Sequence, residues 1–275
     1  HLVFGEFSAR LAQGAGLAPH LLEPEVIASE PGTHPQARPS PDIDLYALTH
    51  NETSTGVAMP VERVPGGGLT AVDATSAAGG LSVDPRAFDV YYFAPQKCFA
   101  SDGGLWVALL SPPAIERIER IGSGDRYVPP SLDLPIALES SRRDQTYNTP
   151  ALATLFLMVE QLEWMQDNGG LAWASARCAR SAEIVYGWAE AHPLATPFVA
   201  VPAQRSAVVA TIDLDRDVDA AALTRVLRAN GIVDTEPYRK LGRNQLRIAL
   251  YPAIEPDDVA ALTRSIDFAI DALGG

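Results

Sequence analysis

Residues 91–104 read YYFAPQKCFASDGG. An apolar run stops at Ala94, and a proline, a lysine and a cluster of small, turn-forming residues follow. The run begins as FDVYYFA (88–94), and IDLYALTH (43–50), LTAVDAT (69–75) and GLWVALL (104–110) share its texture. All four have strand length and β-branched or aromatic content, and PGGG (65–68) and AAGG (77–80) punctuate them. Near-continuous apolarity, in place of strict alternation, predicts strands covered on both faces and hence a mostly parallel α/β sheet. The link between 88–94 and 104–110 is too short for a crossover helix, so the later strand should return antiparallel.

Beyond Pro150 the pattern changes. Leu152, Leu155, Phe156, Val159 and Leu162 recur at helical spacing, and Gly169-Gly170 should stop that helix. A second helix is expected over about 172–191. Then follow a strand in SAVVATIDL (206–214), a helix over 218–229, a strand QLRIAL (245–250) and a helix opening at EPDDV. Pro256 suits the first turn of that last helix, and Asp257 and Asp258 suit its positive end. This segment reads as an α+β unit with its own core. The expected division is a large domain over 1–170, a bridging helix over 171–194 and a small α+β domain over 195–275. EPGTHPQARPSPD (30–42) is a loop by composition, and Gly5 to Leu11 can be helical.

A chain of 275 residues that is 47% hydrophobic can bury a sizeable core. Its formal charge of −13 works against a nucleic-acid partner. Two cysteines, Cys98 and Cys178, give neither a metal-ligand spacing nor a disulfide framework, which fits a reducing, cytoplasmic setting. No apolar run reaches the ~20 residues of a membrane span, because Glu160 and Glu163 interrupt the longest one. The opening HLVFGEFSARLAQ has neither Met nor a signal-peptide pattern, and reads as a start in mid-domain.

Lys97 on its own reads as a solvated strand end or as an amine held for chemistry, since a desolvated amine beside other cations loses basicity and can attack an aldehyde. Asp73 closes the preceding strand; it reads as a turn cap or as a carboxylate facing a ligand crevice. Together they form the pair that a pyridoxal phosphate enzyme requires, a lysine for the aldehyde carbon and a carboxylate for the pyridine nitrogen. They stand 24 residues apart at the ends of successive strands.

Longer blocks carry a resemblance. HNETSTGV (50–57), DATSAAGG (73–80), FAPQKCFASDGG (93–104), QTYNTPA (145–151) and DTEPYRKLGRNQLRIALYPAIEPDDV (234–259) resemble the phosphoserine aminotransferases of actinobacterial type, in order and over essentially the whole chain. These belong to the class V, fold-type I pyridoxal phosphate aminotransferases. The resemblance implies a large cofactor domain with a seven-stranded type of sheet and a smaller C-terminal domain. It also implies a homodimer that shares its sites and exchanges an amino group between L-glutamate and 3-phosphohydroxypyruvate, giving phosphoserine and 2-oxoglutarate, with a phosphorylated hydroxythreonine as a second substrate. The family's N-terminal part, with a His-Arg substrate segment and a Gly-rich phosphate turn, has no counterpart in these residues.

By the same resemblance, Lys97 is the Schiff-base lysine and proton shuttle, and Asp73 the partner of the pyridine nitrogen. Thr53 bonds the ring's phenolic oxygen, Phe7 stacks on the ring, and Gln96 takes the cofactor phosphate. Asn148 and Thr149 reach the phosphate of the other subunit; read without the family, YNTP is a helix N-cap. Arg247 is assigned to the substrate α-carboxylate, and Arg239 to the side-chain phosphate or γ-carboxylate, with Lys240 and Arg243 able to share its task. Tyr238 and Phe7 depart from the usual His and Trp.

The other conspicuous residues read as structural. His50 is a satisfied strand-end histidine and Cys98 a small packing residue. The segment GSG (122–124) is a helix stop, and the alternating Asp213, Asp215, Asp217 and Asp219 form a solvated loop. Rival readings are an alanine-glyoxylate type transaminase, a cysteine desulfurase, and, from another class, a non-catalytic binding module. A desulfurase needs a cysteine on a mobile loop, for which neither Cys98 nor Cys178 is placed.

Overall fold

The computed structural model describes residues 2–3, 25–125 and 127–274. Its strands are β1 (Leu2–Val3), β2 (Val26–Ile27), β3 (Leu45–Thr49), β4 (Asn51–Glu52), β5 (Val57–Ala58), β6 (Leu69–Asp73), β7 (Val90–Phe93) and β8 (Val107–Leu110). The helices α1 (Pro112–Gly122), α2 (Leu134–Ser141), α3 (Leu152–Asp167) and α4 (Gly170–Ala191) follow. The chain ends with β9 (Ala195–Pro197), β10 (Val209–Leu214), α5 (Ala220–Ala229), β11 (Gln245–Ala249) and α6 (Pro256–Gly274).

Among the described residues the large sheet has six strands, in the order β2-β1-β3-β6-β7-β8. The first four pairings are parallel, and β8 returns antiparallel to β7, as the short connection requires. The expectation of full cover on both faces is corrected. Along β6, Thr70 and Val72 are buried while Leu69, Ala71 and Asp73 are half-buried, so one face carries the core. That core gathers Tyr46, Val72, Phe88, Tyr91, Phe93 and Phe99 against Met158 and Met165 of α3.

The antiparallel sheet β11-β10-β9 has a second core, in which Ile212, Leu246 and Leu250 pack with Val185 of α4, Leu223 of α5 and Ile266 of α6. Helix α4 touches both cores: Ala174 lies in the first, Ala182 to Ala189 in the second. Between them Cys98 and Cys178 pack with Val208 and Val209.

A buried charge anchors the lower end of the large sheet. Asp89, fully buried, accepts hydrogen bonds from Arg63 Nη1 (2.7 Å), the Thr70 amide (2.9 Å) and the Ser111 hydroxyl (2.9 Å). Burial pushes its carboxyl up, but these three donors and the Arg63 charge outweigh it and hold the carboxyl below its ordinary range.

The loop reading of the alternating aspartates holds for Asp215, Asp217 and Asp219, which are exposed between β10 and α5, and is corrected for Asp213, which lies in β10. Asp219 caps α5 by accepting from the amides of Ala221 and Ala222, Asp215 accepts from the Asp217 amide, and Asp213 pairs with Arg243. A local run of like charges conceals these partners, because one pair depends on Arg243, thirty residues further on in the loop before β11.

Candidate active site

The parallel strands bring distant residues to one edge. The register sets Thr49 opposite Asp73, and Asp73 opposite Tyr92, so β3, β6 and β7 end level. The His50 amide donates to the Asp73 carbonyl (3.0 Å) and the Ala74 amide to that of Tyr92 (2.9 Å), continuing the pairing past the strand ends. Past this edge the chain carries Thr53 on the turn between β4 and β5, Asp73 itself, and Gln96 and Lys97 after β7. Carboxyl ends of parallel strands are the usual ligand side of such sheets.

Lys97 is half-buried in a tight turn. The Ala100 amide donates to the Lys97 carbonyl (3.0 Å) and the Ser101 amide to that of Pro95 (3.1 Å), with Ala100 at φ +45°. The turn is seated by its neighbours: Cys98 is fully buried, and the Phe99 ring stacks on Phe93 with centroids 5.1 Å apart. Glycines make room for both side chains. A Cβ at Gly80 would stand 2.7 Å from the Cys98 sulfur, and one at Gly79 2.8 Å from the Phe99 ring. Burial also raises the Cys98 thiol well above its ordinary value, which keeps it an inert packing group.

The Lys97 amine has no hydrogen bond or ion pair among the described residues. Burial lowers its pKa, and the nearby Arg247 guanidinium lowers it further. A neutral amine is the form that attacks a carbonyl. Arg247 comes from β11, opposite Thr211 of β10, with its amide donating to the Thr235 carbonyl (3.1 Å). It has no carboxylate partner among the described residues; its guanidinium lies 5.7 Å from the centre of the Tyr238 ring. Two neighbouring cations without a counter-charge are costly unless an anion is expected there.

The half-buried Asp73 carboxylate is oriented by Thr75, whose amide (2.9 Å) and hydroxyl (2.6 Å) both donate to Oδ1, and by a hydrogen bond from Tyr92. The Thr53 hydroxyl has no partner among the described residues, and neither has the exposed Gln96 amide. The β4–β5 turn is fixed to the small sheet by the Thr211 hydroxyl, which donates to the Thr55 carbonyl (2.7 Å), and by the Ser206 amide, which donates to that of Gly56 (2.9 Å). A cavity of about 270 Å³ opens beside this turn, lined among others by Thr49, Glu52, Met59, Tyr238 and Lys240.

His50 is buried, its Nδ1 shares a 3.0 Å hydrogen bond with the Tyr91 hydroxyl, and burial lowers its pKa to about 4. It is neutral at pH 7 and serves the strand end. Phe7 lies outside the described residues.

Asn148 and Thr149 are exposed in the segment before α3. Their reading as an N-cap is corrected: the capping position is Ala151, without a side-chain bond, and Pro150 separates it from Thr149. Arg239 is exposed and without an ion pair among the described residues. Arg243 is not available to share its task, since it pairs with Asp213 and stacks 4.6 Å from the Phe198 ring.

Two residues near the site, and the role of a third, escaped sequence reasoning. Tyr92 and Thr75 orient Asp73, and the ring of Tyr238 meets Arg247. The threonine two residues after the aspartate in "DAT" is a legible turn signal; Tyr92 carries none, and Tyr238 stands out only as a departure from the family's His, which does not point to Arg247.

Comparison with known proteins gives a consistent result. Residues 34–236 match the aminotransferase class-V family. The chain is 58% identical over 277 residues to a phosphoserine aminotransferase of Nocardioides sp., covering 99% of this chain and 74% of that protein. It is 57% identical over 275 residues to a putative phosphoserine aminotransferase of Mycobacterium leprae, covering 99% and 73%. Among solved structures, a phosphoserine aminotransferase from Cytophaga hutchinsonii superposes with a TM-score of 0.85 at 25% identity, over 98% of this chain and 75% of that one.

Proposed function

The chain belongs to the class-V aminotransferases, and within them to the phosphoserine aminotransferases; on that premise we propose how its residues divide the work of exchanging an amino group between L-glutamate and 3-phosphohydroxypyruvate. The cofactor is pyridoxal phosphate, which supplies an aldehyde that holds the amino group and a ring that accepts the electrons of the substrate Cα–H bond.

The residues fit that group. Lys97 offers an unpaired, half-buried amine whose lowered basicity leaves it free to bond the aldehyde, and, once released, to carry the proton between substrate carbon and cofactor. Asp73, oriented by Thr75 and Tyr92, holds the pyridine nitrogen in its protonated form. The hydroxyl of Thr53, free among the described residues, would bond the phenolic oxygen and Gln96 would bind the phosphate; the resemblance gives the ring face to Phe7. Arg247 takes the substrate α-carboxylate in bidentate fashion, and Arg239 takes the side-chain phosphate or γ-carboxylate. The single observation that carries this reading is the proximity of two cations, Lys97 and Arg247, neither of them paired with a carboxylate among the described residues, at the sheet edge that presents Asp73.

The protein works as a homodimer. Leu152 (73% exposed) and Phe156 (63% exposed) form an apolar surface on α3 beside Asn148 and Thr149, which favours a partner subunit whose cofactor phosphate these two residues reach. The chain divides into a large domain over 1–170, a bridging helix over 171–194 and a small domain over 195–275. Both cysteines are free thiols, which supports a cytoplasmic location, and no helix among the described residues is long and apolar enough to cross a membrane. A phosphorylated hydroxythreonine is a second substrate of the same exchange.

Borohydride treatment of the yellow holoenzyme should leave cofactor mass on the peptide containing Lys97, and L-glutamate should bleach the visible band of untreated enzyme. A band unmoved by glutamate, together with sulfide release from cysteine, would replace this reading by a desulfurase.

A further inference from the structure

Among the described residues four arginines lie over aromatic rings, and three of them show how such a group is ordinarily completed. Arg177 lies 5.3 Å from the Trp173 ring centre and 2.7 Å from Glu255 Oε1. Arg205 lies 5.0 Å from Tyr186 and 2.6 Å from Glu190 Oε1. Arg243 lies over Phe198 and is paired with Asp213. Arg247 has the ring, Tyr238 at 5.7 Å, and no carboxylate among the described residues.

The difference has a physical use. A carboxylate on Arg247 would occupy the planar fork of donors that a ligand carboxylate needs, and would cancel its charge. An aromatic face attracts the guanidinium through its quadrupole and consumes none of those donors. We propose that Tyr238 is a positioning residue that seats Arg247 for a substrate carboxylate, its ring holding the guanidinium while the place that an acid fills at the other three arginines is left for the ligand. This rests on the assignment of Arg247 to the α-carboxylate made above.

The backbone supports such a seat. The Arg247 amide donates to the Thr235 carbonyl (3.1 Å) and the Leu241 amide to the Tyr238 carbonyl (3.0 Å), so the segment bearing the ring is tied to β11 and closed as a turn. Tyr238 is half-buried, lines the 270 Å³ cavity with Glu52 and Lys240, and meets the guanidinium as well. The ring, and not the hydroxyl, is the group that acts.

The test uses the holoenzyme, with KM and kcat for L-glutamate and calorimetric binding of 2-oxoglutarate. Tyr238→Phe should stay within about 2-fold of wild type in every measure. Tyr238→Leu should raise KM and the 2-oxoglutarate Kd by about 5- to 30-fold with kcat changed far less. Tyr238→Glu, which supplies Arg247 with an internal acid, should weaken both beyond about 100-fold. Should Tyr238→Leu fail to fold, Tyr238→Met is the second non-aromatic variant. Wild-type KM in a folded non-aromatic variant overturns the inference alone, as does a Phe variant as impaired as the Leu variant. A wild type that neither binds 2-oxoglutarate nor exchanges its amino group with glutamate overturns the proposed function and this inference with it.

Discussion

The two ends of β7 treat charge in opposite ways. At the end where the strand begins, Asp89 is fully buried and met by a guanidinium, an amide and a hydroxyl, so that its charge is compensated within the protein. Past the other end, Lys97 and Arg247 lie close enough for one to lower the basicity of the other, and neither has a carboxylate among the described residues. Desolvated charge is costly, and a fold that needs it only for structure completes it internally. Where completion is withheld, stability is given up for a ligand that brings the counter-charge. The sheet thus has a structural end and a binding end, and single residues can break either one.

The largest effect is expected at the binding end. Lys97→Ala should lower turnover of glutamate by at least about 10⁴-fold in rapid-mixing kinetics, because it removes both the bonding amine and the proton carrier. The same variant should unfold in urea at a midpoint no lower than wild type, because it removes an unpaired half-buried cation. A large loss of stability would show that Lys97 serves the fold.

Arg247→Gln should lower kcat/KM for glutamate by about 10²- to 10³-fold, the scale of a lost charge-assisted bidentate contact. It should also leave a trace without substrate. Arg247 lowers the Lys97 pKa, so its removal must raise it, and acylation of the Lys97 amine in cofactor-free protein should move to higher pH. An unmoved pH profile would separate the two cations and weaken the contrast drawn here.

At the structural end, Asp89→Ala should cost about 3 kcal/mol in urea unfolding, since it strands the buried donors of Thr70 and Ser111 as well as Arg63. The sign of its pH dependence follows from the depressed carboxyl pKa. The stabilisation is fully present above the unfolded carboxyl's value, near ~4, and is lost as pH falls through the lower folded value. Wild-type and variant stabilities should therefore converge in acid, while activity per folded molecule at neutral pH stays within a few-fold.

Much of this was legible in the chain. Strand-length apolar runs, Gly169-Gly170 as a helix stop and the short return to β8 are local signals, and the structure forms each of them. Lys97 and Asp73 stood out because a lysine and an acid ending successive strands face one edge whatever the details of packing. The excess of apolar residues over actual burial along β6 misled, since composition does not say which face is covered. The stretch YNTP has cap-forming residues, but Pro150 and Ala151 intervene before the helix begins.

By itself the sequence determined the elements, their order and the two residues of the sheet edge, because periodicity, turn chemistry and strand ends are written over a few neighbouring positions. Only the tertiary structure decided that Arg243 is consumed by Asp213 while Arg247, four residues on, has no carboxylate partner among the described residues and lies near Lys97. Those partners lie 30 and 150 positions apart in the chain, and no local pattern records which charges folding will bring together or leave open.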